Sequence, residues 1–386
     1  MILLGWVSLF ADLCYEGMRS AIGPYLALLG ASGTAVGIVS GTGEALGYGL
    51  RYFSGSLADR TQKYWLITIS GYATNIIAVP LLALTGSWPA VAVLVGLERL
   101  GKGVRSPAKS TLTSFAASDL GAGKAFAINE AMDQAGALLG PLAVAGILAW
   151  RGQTLSGFAW SFVMLAIPAI LSVLILLRAR RLYPDPRSLE GDAPQEDGAL
   201  GPSYKLYLVG VALVAIGLAD WPLIAYHLER ADVVDTQWLP IAYSAAMAVD
   251  GIVSLCAGLL FDRNRKRGGT GAAVLAAFVI AGAAYGLLAF TGDIRLAIAG
   301  IALWALVHAA TNSIGKAMIA AIVPRAQRGR AYGIYYVVFG VAWWGGSMLL
   351  GSLYDRSHFA TGATAAVALV LGAGVVMWSG LRVKRA

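Results

Sequence analysis

Charged side chains are scarce in this sequence of 386 residues. Only 13% of the residues are charged, whereas 58% are hydrophobic, and the mean hydropathy is +0.69. A soluble domain carries charge on about a quarter of its residues, so this chain has too little charge to cover a surface that faces water. The shortage excludes an ordinary soluble globular protein and predicts a chain whose surface faces lipid.

Cysteine and histidine are also rare, and two functional motifs are missing. The two cysteines, Cys14 and Cys256, lie in apolar runs, so we expect buried thiols without a disulfide. The three histidines show no metal-ligand spacing, so no metal is expected. No glycine-rich loop ends in Lys-Ser or Lys-Thr, which argues against a pump driven by ATP. No nucleophile stands beside a general base, so we expect no enzyme, no catalytic residues and no cofactor.

Apolar runs of about 20 residues, the length that crosses a bilayer, recur along the whole chain. We predict twelve spans: 3–29, 33–54, 64–85, 89–112, 124–149, 157–178, 204–226, 238–260, 271–290, 295–317, 331–352 and 362–381. Charges interrupt several of them, so hydropathy alone is expected to detect ten or eleven. The segment 1–10 has no basic start and no small-residue cleavage site, so it is expected to be a retained first span.

The basic residues are distributed unevenly between the two sides of these spans. Most of the 29 Lys and Arg fall on one side. The other side holds only Arg151, Arg230, Arg295 and Arg356. By the positive-inside rule, both termini and the central connection lie in the cytoplasm of a multi-pass protein of the inner (plasma) membrane. The net charge of +8 is therefore a topology signal, and no nucleic acid is expected as a partner.

Two pairs of similar segments indicate an internal repeat. The segment 55–60 (GSLADR) ends span two, and 258–263 (GLLFDR) ends span eight. At nearly the same offset, 123–128 opens span five and 329–334 opens span eleven. We predict an N-terminal bundle at 1–178, a polar, Pro-containing cytoplasmic linker at 179–203 and a C-terminal bundle at 204–386. Duplicated halves are typical of secondary transporters.

These features together resemble the major facilitator superfamily. The segment 55–63 is similar to the family's signature loop between helices two and three, although Thr61-Gln62-Lys63 departs from its usual ending. Arg99 with Gly101 and Gly103 resembles the helix-four motif. The resemblance implies an all-α membrane protein of twelve transmembrane helices in two pseudo-symmetric six-helix bundles. It also implies transport of a small molecule by alternating access.

The helix-five motif of that family is matched by four residues: Gly136, Gly140, Pro141 and Gly146. In the family this motif is associated with export, and small residues allow close approach of helices, so we expect a packing role. A narrower likeness rests on the patterns around Asp12, Glu98 and Glu130. They resemble a prokaryotic branch of presumed efflux proteins whose substrate is unassigned.

The resemblance also implies a gate at the signature loop and at its repeat. In the family this loop latches the two halves in the outward-open state, and a carboxylate at a helix N-terminus is stabilised by the helix dipole. The residues assigned to gating on this ground are Asp59, Arg60 and Lys63, with Asp262, Arg263 and Arg265 in the second copy.

Ionisable residues inside spans are the most informative feature, because a charge at the bilayer centre costs about 3 kcal/mol or more. Asp12, Glu16 and Arg19 are spaced to share one face of span one. Acids outnumber bases in the first half, so at least one acid is expected to exchange a proton. Our candidates are, in order, Asp12 or Glu16, then Asp133, then Glu98. Permanent ion pairs such as Glu16 with Arg19 remain the alternative for any single acid.

The remaining polar residues in spans are candidates for the substrate pathway. They are Tyr15, Arg19, Glu44, Arg99, Glu130, Asp220, Asp250, His308 and Asn312. We therefore predict a monomeric, proton-coupled exporter of a drug, metabolite or ion. The alternatives are uptake of a small organic anion bound by Arg19 and Arg99, or a non-transporting receptor or flippase-like protein. The substrate cannot be named from the residues.

Overall fold

The computed structural model describes residues 2–115, 122–184, 201–323 and 328–385, and it is built from α-helices joined by short turns. The helices within these ranges are α1 (Ile2–Leu28), α2 (Gly33–Thr61), α3 (Tyr64–Leu81), α4 (Trp88–Phe115), α5 (Ala122–Arg151), α6 (Leu155–Met164), α7 (Ala166–Leu182), α8 (Pro202–Gly217), α9 (Trp221–Arg230), α10 (Leu239–Lys266), α11 (Ala272–Gly282), α12 (Tyr285–Ala289), α13 (Ile294–Ile322), α14 (Arg328–Tyr354) and α15 (His358–Arg385).

Each predicted span corresponds to one helix or to two helices separated by a break. Span six is divided into α6 and α7, span seven into α8 and α9, and span nine into α11 and α12. Within the described residues, nine segments are long and apolar enough to cross a membrane. The expectation of ten or eleven was too high. One reason is that α1 carries Asp12, Glu16 and Arg19 within one 18-residue window.

The chain forms two compact units, each with its own set of helix contacts. The first unit is 1–31, 42–192 and 234–245, and the second is 32–41, 193–233 and 246–386. In the first unit α1 packs against α5 and α7, and α3 packs against α4 and α7. In the second unit α8 packs against α14 and α15, and α11 packs against α13 and α15. In the first unit, span one packs against spans five and six, and span three packs against spans four and six. In the second unit, span seven packs against spans eleven and twelve, and span nine packs against spans ten and twelve, so the two units repeat one packing scheme.

The outer helix surfaces expose large apolar side chains, as a protein surrounded by lipid requires. On α10, Ile252, Leu255 and Leu259 share one face, and Leu255 is 73% exposed. This face explains an error in the prediction for cysteine. Cys14 is buried and both thiols are free, but Cys256 is exposed because it adjoins Leu255 on the outward side of α10.

The break in span seven leaves backbone groups that need partners, because an unpaired peptide group is costly in a membrane. The Tyr285 hydroxyl donates to the Gly217 carbonyl (2.8 Å) and accepts from the Ala219 N–H (2.6 Å). The Trp304 indole N–H donates to the Ala219 carbonyl (2.8 Å). Two aromatic side chains from other helices therefore hold the broken backbone in place.

Removing the hydroxyl of Tyr285 should destabilise the protein. In Tyr285→Phe the Gly217 carbonyl and the Ala219 N–H lose their partner, which should cost about 1–3 kcal/mol. Thermal unfolding in detergent measures the loss. Tyr183→Phe is the matched control because that side chain is exposed. Equal melting temperatures for the two variants would contradict the role given to Tyr285.

Candidate functional site

The acidic and basic residues of α1 lie together on one helix face, as their spacing predicts. A guanidinium nitrogen of Arg19 lies 3.9 Å from a carboxylate oxygen of Glu16. The Arg19 side chain is buried, whereas that of Glu16 keeps 13% of its surface exposed. The pair is too long for an ideal hydrogen bond, so Glu16 keeps the capacity to bind other groups.

Four charged residues from three helices meet beside this face, and we call them the lysine–aspartate cluster. They are Asp12 on α1, Lys102 and Lys109 on α4, and Asp133 on α5. The Lys109 ammonium lies 3.6 Å from the Asp133 carboxylate, whose side chain is 24% exposed. Asp133, Lys102 and Lys109 are among the charged groups that act on Asp12. Two acids thus compete for two lysines at a place that is partly open.

Tyr15 provides an aromatic surface next to this cluster. The Lys102 ammonium lies 3.4 Å from the centre of the Tyr15 ring, and the Arg99 guanidinium lies 4.5 Å from it. Cations over an aromatic face are stabilised by its quadrupole, more strongly when they are desolvated. The buried Tyr15 ring therefore helps to hold two cations of α4 inside the membrane.

Glu98 differs from the other acids because it is sealed. Its side chain is 0% exposed, and one of its oxygens lies 3.7 Å from the Arg99 guanidinium. The role of Glu98 in proton coupling stays a prediction.

Tyr243 is a site residue that the sequence reasoning missed. It belongs to 234–245, the part of the chain that lies in the first unit. Its hydroxyl donates to the Glu16 carboxylate, and its ring centre lies 6.0 Å from the Arg19 guanidinium. A tyrosine in a membrane span gives no functional signal by itself, so only the fold identifies it.

Close packing of α1 and α5 brings Asp12 and Asp133 together. A Cβ at Gly136 would lie 2.3 Å from the Leu9 carbonyl oxygen, and one at Gly140 would lie 2.2 Å from the Leu13 carbonyl oxygen. Gly146 takes no part in this contact, because a Cβ there would meet nothing within 4 Å. Pro141 lies inside α5, which continues through it to Arg151.

In the second unit, two of the predicted pathway residues form a close pair. His308 Nδ1 on α13 lies 2.7 Å from Asp250 Oδ2 on α10. The amide nitrogen of Asn312 lies 3.2 Å from His308 Nε2. Asp220 is the N-cap of α9, and its carboxylate accepts a hydrogen bond from the Trp221 N–H (2.9 Å).

The gating residues are only partly described. Arg60, Lys63, Asp262, Arg263 and Arg265 are all exposed at helix ends or turns. The side chain of Asp59 lies outside the described residues, and so do those of the pathway candidates Glu44 and Glu130. The gating role of this loop stays a prediction.

A tight contact joins the start of α2 to the end of α14 within the second unit. The Asp355 carboxylate accepts from the backbone N–H of Gly33 (2.7 Å) and of Thr34 (2.8 Å), and from the Thr34 hydroxyl (2.5 Å). A Cβ at Gly37 would lie 2.3 Å from the Ser347 carbonyl oxygen. From the turn after α14, Asp355 thus caps the positive N-terminus of α2.

Removing this cap should destabilise the first turn of α2. Asp355→Ala should accelerate amide hydrogen exchange there roughly fivefold, because a lost cap costs about 1 kcal/mol. Partial burial raises the pKa of Asp355, but the hydrogen bonds from Thr34 and Gly33 outweigh it and hold the pKa below the ordinary value of an aspartate. The cap is therefore complete above that value and is lost as the pH falls through the lowered pKa.

The control for this experiment is Ser352→Ala, because the Ser352 hydroxyl donates only to the Leu349 carbonyl of its own helix. It should leave exchange in α2 unchanged. If Asp355→Ala and Ser352→Ala behave alike at neutral pH, Asp355 does not cap α2.

The helices and the buried charges define a multi-pass membrane protein with an internal repeat. A family model described as Major Facilitator Superfamily matches residues 5–269. An uncharacterized protein of Mycobacterium tuberculosis is 39% identical over 384 residues, which is 97% of this chain and 91% of the relative. The chain therefore belongs to the major facilitator superfamily. It is a membrane transporter for a small-molecule substrate and not an enzyme.

More distant relatives agree with this assignment. An uncharacterized MFS-type transporter of Methanocaldococcus jannaschii is 25% identical over 364 residues, which is 92% of this chain and 88% of the relative. The fold is similar to that of a bacterial homologue of the human lysosomal transporter Spinster, with a TM-score of 0.78 at 17% sequence identity. The match covers 98% of this chain and 95% of the homologue. The fold is also similar to that of a peptide transporter in complex with sulfate. The TM-score is 0.79 at 14% sequence identity, and the match covers 100% of this chain and 94% of the transporter.

Proposed function

We propose that this chain exports a small molecule in exchange for protons by alternating access, and that Asp12, Glu16 and Asp133 carry the coupled proton. The observation that carries the proposal is the lysine–aspartate cluster. Its two carboxylates lie inside membrane helices, and that of Asp133 remains 24% exposed with Lys109 only 3.6 Å away. Charges at this depth are expensive unless they serve a pathway.

The cluster offers a simple exchange of partners. With Asp12 protonated, both lysines neutralise Asp133. With Asp12 ionised, Asp12 and Asp133 divide the lysines between them. A substrate, or a change in the access of water, that favours one arrangement must bind or release a proton, because binding and protonation are linked. This reciprocity is what couples an outward flow of substrate to an inward flow of protons.

Tyr243 links Glu16 on α1 to α10. Its hydroxyl donates to the Glu16 carboxylate. In our proposal α10 moves during the transport cycle and this bond breaks, so the hydrogen-bond partner of Glu16 changes with the conformation.

Topology and direction complete the proposal. The uneven distribution of basic residues supports an inner-membrane protein with both termini in the cytoplasm. We place the N-terminal bundle at 1–178, the cytoplasmic linker at 179–203 and the C-terminal bundle at 204–386, and we propose that the protein acts as a monomer. Export, rather than uptake, rests on the helix-five motif with Gly136, Gly140 and Pro141. Uptake of an organic anion is less well supported, because Arg19 and Arg99 each have a carboxylate within 4 Å.

A two-step experiment tests this function. A deletion strain and an overproducing strain are first compared for growth against a panel of toxic organic cations, organic anions and metal salts. A compound that the overproducer tolerates is then added to inside-out vesicles that have an acidic interior, and a pH-sensitive dye reports the proton gradient. We expect the compound to accumulate while protons leave.

The same vesicles distinguish the alternatives. Accumulation at an unchanged rate after a protonophore has collapsed the gradient would exclude proton coupling. A panel in which organic anions are taken up by intact cells only when the protein is present would favour anion uptake through Arg19 and Arg99. Absence of any flux across the panel, together with compound binding, would favour a receptor.

A further inference from the structure

An arginine of the first unit lies against two tryptophans at the end of a membrane-crossing helix. The guanidinium carbon of Arg151, the last residue of α5, lies 4.2 Å from the centre of the Trp150 ring and 4.3 Å from that of the Trp160 ring on α6. All three side chains are exposed, and Trp150 keeps 73% of its surface accessible. We call these three residues the tryptophan–arginine clip.

The short turn between α5 and α6 holds the clip in place. Gly152 has a φ of +86°, a conformation that favours glycine, and its N–H donates to the Leu148 carbonyl (2.9 Å) at the end of α5. The Thr154 hydroxyl accepts from the Gly157 N–H (3.3 Å) and caps the start of α6. A Cβ at Gly157 would collide with the Gly152 carbonyl oxygen. The two helix ends are therefore in close contact, and the clip is formed without a ligand.

Arg151 can still bind an anion. Within the ranges that the structure describes, no carboxylate lies within 4 Å of its guanidinium. A cation over an aromatic ring is stabilised by the quadrupole of the ring, but the N–H groups of a guanidinium lie in its own plane and keep their hydrogen-bonding capacity. Their fork geometry matches the paired oxygens of a phosphate.

Exposed apolar side chains continue from the clip along one face of α6 and α7. Trp160, Val163 and Ile167 follow one another at helical spacing, and they are 38%, 41% and 54% exposed. Both helices belong to one apolar stretch, Leu155–Leu182, that is long enough to cross a membrane. The clip and this face together match a molecule that has an anionic head and a hydrocarbon chain.

We propose that the tryptophan–arginine clip binds an anionic phospholipid. The headgroup phosphate accepts hydrogen bonds from Arg151, the two indoles lie at the membrane–water boundary that tryptophan favours, and an acyl chain packs along Val163 and Ile167. No described carboxylate lies beside Arg151 to pair with the ammonium group of a zwitterionic headgroup. The site therefore favours phosphatidylglycerol over phosphatidylcholine.

The position of Arg151 in the chain needs an explanation of its own. Arg151 is one of the few basic residues on the side that is predicted to lie outside the cytoplasm, so the positive-inside rule does not account for it. A cation in the last turn of a helix also stabilises the helix dipole, and that role needs no lipid. A lysine at this position would serve the dipole equally well, whereas it lacks the planar fork of arginine.

The test is a native mass-spectrometry titration of the full chain in detergent with phosphatidylglycerol. Arg151→Gln should weaken binding about tenfold, because it removes the charge-assisted hydrogen bonds to the phosphate. Arg151→Lys should still weaken it by about threefold or more, because the fork is lost. Trp160→Leu, which leaves the end of α5 intact, should weaken it as well. The matched control is Arg295→Gln, since Arg295 is exposed at the start of α13 on the same predicted side, and it should bind like wild type.

Three results would overturn the inference. One is equal affinity for phosphatidylglycerol in wild type, Arg151→Gln and Trp160→Leu. The second is wild-type affinity in Arg151→Lys, which would reduce Arg151 to a helix cap or a simple surface charge. The third is equal affinity for phosphatidylcholine. Glycerol phosphate, which has no acyl chain, should bind about a hundredfold more weakly than the lipid because it buries no hydrocarbon, and equal binding would point to a free phosphate site instead.

This inference is independent of the proposed function, because the titration measures lipid binding without transport. Asp12→Asn/Asp133→Asn should bind phosphatidylglycerol like wild type. If export proves independent of the proton gradient while Arg151→Gln still loses lipid, the proposed coupling fails and the lipid site stands. If export is driven by protons but lipid binding is the same in all variants, the lipid site fails and the proposed function stands.

Discussion

Replacing both Asp12 and Asp133 by asparagine should abolish uphill export and preserve downhill exchange. Asparagine keeps the size and hydrogen-bonding capacity of aspartate, but it cannot release a proton. Without an ionisable carboxyl the lysine–aspartate cluster cannot exchange partners, and Glu16 outside it does not replace that step, so gradient-driven accumulation should fall to the level of empty vesicles. Exchange of labelled for unlabelled compound needs no net proton movement, and it should stay within about threefold of wild type, a barrier change of under 1 kcal/mol.

The control for this double variant is Asp232→Asn, which removes an exposed carboxylate in the turn after α9. It should transport like wild type. Uphill accumulation that survives in the Asp12/Asp133 variant would show that these acids are permanent partners of Lys102 and Lys109 and carry no proton. Loss of exchange as well as accumulation would show that they bind substrate or support the fold.

A methyl group at Gly140 should prevent α1 and α5 from packing. Its Cβ would lie 2.2 Å from the Leu13 carbonyl oxygen and 2.8 Å from the Gly17 amide nitrogen, and both are backbone atoms that cannot turn aside. Overpacking of this kind costs about 1–3 kcal/mol, and Gly140→Leu should cost more. We expect a lower melting temperature in detergent and a marked loss of folded protein on gel filtration.

Gly146 provides the matched control on the same helix, because a Cβ there would meet nothing within 4 Å. Gly146→Ala should be neutral or slightly stabilising, since alanine favours helix by up to about 1 kcal/mol over glycine. Equal losses in the Gly140 and Gly146 variants would mean that helix propensity, and not the α1–α5 contact, sets the stability.

The number and order of the spans could be predicted from the sequence because apolar length is a direct consequence of bilayer thickness. The breaks were not predicted, although signals for two of them are present. Pro168 cannot donate to the Met164 carbonyl, which favours the end of α6 near that residue. Asp220 followed by Trp221-Pro222 is an N-cap with proline in the first turn, and it marks the start of α9.

The site was predictable only in part, because charge in a span is a signal but its partners are set by packing. Asp12, Glu16 and Asp133 were identified by their depth. Lys102 and Lys109 were counted with the cytoplasmic basic residues, yet their spacing of two helical turns places them on one face of α4. That face meets Tyr15 and Asp133.

Contacts between distant parts of the chain gave no sequence signal at all. Tyr243 reaches Glu16 across more than two hundred residues, and Asp355 reaches Gly33 across more than three hundred. A tyrosine in a span and an acid in a loop are ordinary features by themselves. Their contacts with Glu16 and Gly33 are seen only in the folded structure.

Proton release on binding of the exported compound is the most direct test of the central claim. Purified protein in weakly buffered detergent solution is mixed with the compound, and a pH indicator follows the change. The account predicts release of protons by wild type and none by Asp12→Asn/Asp133→Asn at equal compound binding. Binding without any proton release in wild type, or identical release by the variant, would contradict it.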